Sequence, residues 1–83
     1  MNINENMLHQ VAARFIKGKD IEIDIKGTAL QLETLQNLLN VSKDLMNELN
    51  SNTRNVEKVV KMIENKKQLT KKFQNITGIE WKL

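Results

Sequence analysis

The sequence predicts a mostly helical α+β fold. A short helix, one β-strand, an antiparallel pair of long helices and a short C-terminal strand-like tail make up each copy, and copies join into an oligomer. Three observations predict it. Ile21, Ile23 and Ile25 alternate with Glu22, Asp24 and Lys26, the period of a strand that buries one face. Two long stretches follow in which apolar residues recur at helical spacing. The chain has 83 residues, a single domain (1–83), and domains near this size bury only about 60–65% of the surface their unfolded chains expose. With no cysteine and one histidine, neither disulfides nor a metal site can widen that thin margin, so self-association remains.

The first helix is read from Leu8, Val11, Ala12, Phe15 and Ile16, which share one face. Asn4 or Asn6 can cap its start, and Gly18 suits the position after its end. His9 falls on the flank of that face with no orienting partner, so it reads as a packed or exposed imidazole. The strand covers 20–26 and breaks at Gly27. The same alternation recurs only in Ile79, Glu80, Trp81, Lys82 and Leu83. Either this tail returns to pair with the strand, or the strand pairs with another copy.

Thr28-Ala29-Leu30-Gln31 has the form of a capping box and starts the second helix, expected from Ala29 to about Leu49 or Asn50 and about 31 Å long. Its stripe of Leu32, Leu35, Leu38, Leu39, Leu45, Met46 and Leu49 is interrupted centrally by Ser42, small enough to let a neighbouring helix approach. Asn50-Ser51-Asn52-Thr53 forms a turn that ends by capping a third helix over 54–77, which Gly78 terminates. The polar run 64–68 is a place where that helix could break. Val56, Val59, Val60, Met62, Ile63, Leu69, Phe73 and Ile76 cover about half its cylinder, and Lys66 and Thr70 project from the middle of that half. A lysine there either snorkels to meet Glu33 or Asp44, or lines a cavity and neutralises a phosphate.

The net charge of +3 conceals a split. Over 20–48 six acids face two bases, a balance of −4, and over 54–72 seven bases face two acids, a balance of +5. Opposite charge can pair the two long helices, or the basic one can receive an anionic ligand.

Catalysis is not expected. There is no tyrosine or cysteine, the lone histidine lacks a partner, Ser42 and Ser51 lack nucleophile-elbow glycines, and no phosphate-binding loop or metal-ligand spacing occurs. No catalytic residue, metal ligand or cofactor is therefore assigned. No apolar run approaches the roughly 20 residues that cross a bilayer, and the opening residues lack the layout of an export signal. The expectation is a soluble protein of the cytoplasm with no membrane partner.

The ingredients fit a non-catalytic binder of a small anionic ligand. Lys66, Lys71, Lys72 and Arg54 would supply positive charge, Thr70 lies beside Lys66, and Phe73 or Trp81 would offer a stacking surface, although both aromatics also fit a core. A nucleic-acid binder is the alternative, since a strand followed by two helices looks like the ribbon–helix–helix repressors. There the outward strand residues enter the major groove, and here Glu22 and Asp24 would face phosphates.

The short helix, the Ile21-Glu22-Ile23-Asp24-Ile25 strand, the two long helices and the Thr77-Gly78-Ile79-Glu80-Trp81 tail resemble small phage-encoded anti-defence proteins. These are oligomeric sponges that counter CBASS or Thoeris systems by sequestering nucleotide second messengers. The resemblance covers the layout of most of the chain. It implies a homo-oligomer, a dimer or tetramer, that binds a cyclic dinucleotide or ADP-ribose derivative between subunits without chemistry, in the host cytoplasm. It adds no site residue.

Overall fold

The computed structural model describes residues 1–21 and 24–83. Three helices follow one another: α1 (Glu5–Ile16), α2 (Ala29–Leu49) and α3 (Val56–Thr77). The α+β expectation is overturned. Among the described residues there is no strand, neither near 20–26 nor in the tail, and the molecule is all-helical. Glu22 and Ile23, at the centre of the expected strand, lie outside the described residues.

The helix ends follow local chemistry. Asn4 caps α1 by accepting a hydrogen bond from the Met7 amide at 2.8 Å, and Gly18 leaves it at φ 81°. The capping box at α2 is complete: Thr28 Oγ1 accepts from the Gln31 amide, and Gln31 Oε1 accepts from the Thr28 amide. α3 starts two residues later than expected. Its cap is Asn55, not Thr53, because the Asn55 side chain accepts from the Lys58 amide at 3.1 Å while Glu48 accepts from the Asn55 amide at 3.1 Å. The helix runs unbroken through 64–68 and ends at Gly78, φ 74°.

The strand expectation fails because alternation supplies a face and not a partner. A ladder needs a second extended chain with free amides and carbonyls in register. The neighbour of this segment is Asn2. Its amide donates to the Lys26 carbonyl at 3.1 Å, and its side-chain oxygen accepts from the Lys26 amide at 2.6 Å. One backbone amide and one side-chain oxygen of Asn2 thus mimic a single rung. Ile25 still finds apolar company, packing with Met1 and Ile3 against the core.

That core holds Leu8 and Ala12 of α1, Leu35 and Leu38 of α2, Phe73 of α3 and Trp81 of the tail. The tail turns back at Gly78 and bridges α1 to α3. The Lys82 amide donates to His9 Nε2 at 3.0 Å, and Lys66 Nζ donates to the Leu83 backbone oxygen. α2 is therefore the floor, with α1 and α3 as walls and the tail between them. No helix among the described residues is long and apolar enough to cross a membrane.

Candidate functional site

The open part of the trough is a cleft of about 540 Å³. α1 contributes Ala13 and Ile16 to one wall, α2 lays Ser42, Leu45, Met46 and Leu49 along the floor, and α3 presents Lys66. The helical periods explain this convergence. Ser42, Leu45 and Leu49 are three and four residues apart on α2, so they share the face toward the trough. Lys66 lies one turn beyond the half-buried Met62 on the packed side of α3.

Lys66 is half-buried, and loss of its hydration holds the amine below lysine's ordinary range. Its partner is the Leu83 backbone oxygen, in place of the Glu33 or Asp44 carboxylates considered from the sequence. Ser42 is 4% exposed, and its hydroxyl has no hydrogen-bond partner among the described residues.

The other residues expected at a site divide into core and surface. Thr70 is half-buried, but its hydroxyl donates to the Lys66 carbonyl at 2.8 Å on its own helix. Phe73 is 0% exposed and meets the edge of Trp81 at 5.9 Å between centroids, with the planes at 80°. Trp81 is buried too, with His9 tilted against its ring at 5.7 Å. Both rings are thus buried in the core of the single chain. Lys71, Lys72 and Arg54 are exposed, and Arg54 belongs to the turn before α3. Within one chain it stands more than about 20 Å along the helix axis from Lys71. The structure therefore gathers only Lys66 of these seven residues into the cleft.

Ser42 was noted in the sequence as a spacer, not as a functional group. The signal that marks the site is a pair of polar residues, Ser42 and Lys66, each interrupting the apolar stripe of facing helices. Between those helices the charge split yields one ion pair among the described residues, Lys58 to Glu48 at 3.4 Å. No group of residues that could hold a metal occurs among the described residues.

Comparison of the chain with protein-family models, with curated proteins and with solved structures gives no match.

Proposed function

We propose that this chain is a non-catalytic binding protein that works as an assembly of identical copies. The observation that carries the reading is an uncovered apolar surface at one end of the molecule. Val56 is 71% exposed, and Val60 and Ile63 one and two turns further along α3 are each 49% exposed. Met46 and Leu49 of α2 are also exposed. The accessible surface is 5833 Å². A compact monomer of 9.6 kDa has about 5,100 Å². The chain therefore exposes more surface than a compact monomer of its mass.

The ligand proposed for the assembly is a small nucleotide-type anion, a cyclic dinucleotide or ADP-ribose derivative, held by exposed cations where copies meet. Arg54 lies too far from Lys71 and Lys72 to share such a ligand within one chain. Antiparallel pairing of α3 with its copy would bring the two ends together. Charge, not aromatic stacking, would do the holding.

Native mass spectrometry at micromolar concentration tests the assembly, with a dimer or tetramer expected. Isothermal titration against cyclic dinucleotides and cyclic ADP-ribose isomers tests the ligand. A solitary chain ends the first half of the reading, and silence across the panel ends the second. Strongly salt-dependent binding of duplex DNA would instead favour a nucleic-acid binder.

A further inference from the structure

We propose that His9 is a proton-operated latch on the C-terminal tail. The neutral ring holds the tail against α1, and protonation of the ring releases it. The inference rests on bonds within one chain and not on the assembly or its ligand.

Two bonds assign the state of the ring. Nδ1 lies 2.7 Å from the Glu5 carbonyl oxygen, which can only accept, so Nδ1 carries a hydrogen. Nε2 accepts from the Lys82 amide at 3.0 Å, so it carries none. The ring is therefore neutral, with both nitrogens committed. A second proton can go only to Nε2, and there it points a donor at the Lys82 donor. The bond is lost and the two N–H groups repel.

Little else keeps the tail in place. Among the described residues no ladder holds it, and its other long-range polar contacts are the bond from Lys66 to the Leu83 oxygen and the ion pair of Lys82 with Glu5 at 3.5 Å. Trp81 anchors it against Phe73, but the buried indole N–H has no partner among the described residues, which costs part of that gain. The charged groups at this corner are Glu5 of α1, Lys82 and the exposed Glu80 of the tail, and Lys66 of α3. Glu5 and Lys82 act oppositely on an imidazolium, so the lost acceptor decides. Histidine ordinarily changes charge between about pH 5 and 8, and His9 is the only one in the chain. Release draws Trp81 off Phe73 and takes the acceptor from Lys66, opening the trough between α1 and α3.

Hydrogen exchange by NMR on the full chain at about pH 7.5 and about pH 5.5, corrected for the intrinsic effect of pH, tests the latch. Protection of the Lys82 amide and the Trp81 indole N–H should fall about tenfold or more in acid, while the Leu38 amide in α2 keeps its own. Ring nitrogen chemical shifts should show the Nδ1–H tautomer at the higher pH. His9→Gln, which offers an acceptor that does not titrate, should abolish the acid effect. Unchanged indole protection overturns the proposal, as does the opposite tautomer. A parallel loss at Leu38 also overturns it, because the whole chain would then be unfolding, and so does a His9→Gln chain that keeps the acid effect. Wild-type exchange and tautomer decide the matter if that variant does not fold.

Discussion

Lys66 and Phe73 sit two turns apart on the packed side of α3, and their surroundings give them opposite roles. Phe73 is enclosed by Leu8, Leu35, Leu38 and Trp81, so Phe73→Ala should cost about 3–5 kcal/mol and leave little folded protein by thermal melting. Desolvation makes the charged form of Lys66 costly to the fold. Its folded-state pKa is lowered by desolvation, so the unfolded chain holds the proton more tightly. That penalty is complete below the folded pKa, shrinks as pH rises through it, and is gone above the ordinary 10.5. Lys66→Met should therefore raise the melting temperature at pH 7, by the equivalent of less than about 1 kcal/mol because solvent screens a half-exposed amine. The gain should vanish above pH 10.5 in scanning calorimetry. The position of Lys66 amid apolar neighbours was legible in the sequence, since 100° per residue settles which face it shares. Its partner was not, because the fold-back of the tail depends on contacts 17 residues apart.

Among the elements, helix ends read well where side chain and backbone are neighbours in sequence. Thr28 with Gln31, and Gly78 after α3, needed nothing from the rest of the chain. The start of α3 needed more. Asn55 rather than Thr53 became the cap once Glu48, at the end of α2, accepted its amide. Asn55→Ala should cost about 1 kcal/mol in chemical denaturation, and Thr53→Ala far less. Glu48 also carries a pH signature. The bond from the Asn55 amide lowers its pKa first, with the Lys58 charge adding to it against some desolvation. A lowered carboxylate pKa gives stability that is present above 4.5 and is lost as pH falls through the folded value. Glu48→Gln should thus melt earlier than the wild type at pH 7, with the difference closing in acid. The expected strand fared worse than the helices for a physical reason. Helical hydrogen bonds are internal to the segment, whereas a strand's bonds belong to a partner whose presence no local pattern states.

The whole molecule measures 39 × 26 × 19 Å and is unevenly clothed. At one end α1 and the tail cover the α2–α3 pair around Phe73 and Trp81. At the other, Val56, Val60 and Ile63 face outward. If copies meet there, Val60→Asp with Ile63→Asp should convert the assembly to single chains in analytical ultracentrifugation. Circular dichroism should be unchanged, since neither side chain is in the core. Persistence of the assembly in that variant would place the contact elsewhere.

By itself the sequence determined the three helices and most of their limits, because each depends on residues within one or two turns of one another. It did not determine how much of each apolar face is covered, since Val56, Val60 and Ile63 stay exposed. Only the tertiary structure decided that Lys26 bonds to Asn2, and that both aromatic rings close the core. It also decided that Ser42, Lys66 and Leu83 line one cleft. Those outcomes turn on which distant segments come together, a competition among contacts that periodicity along one chain does not encode.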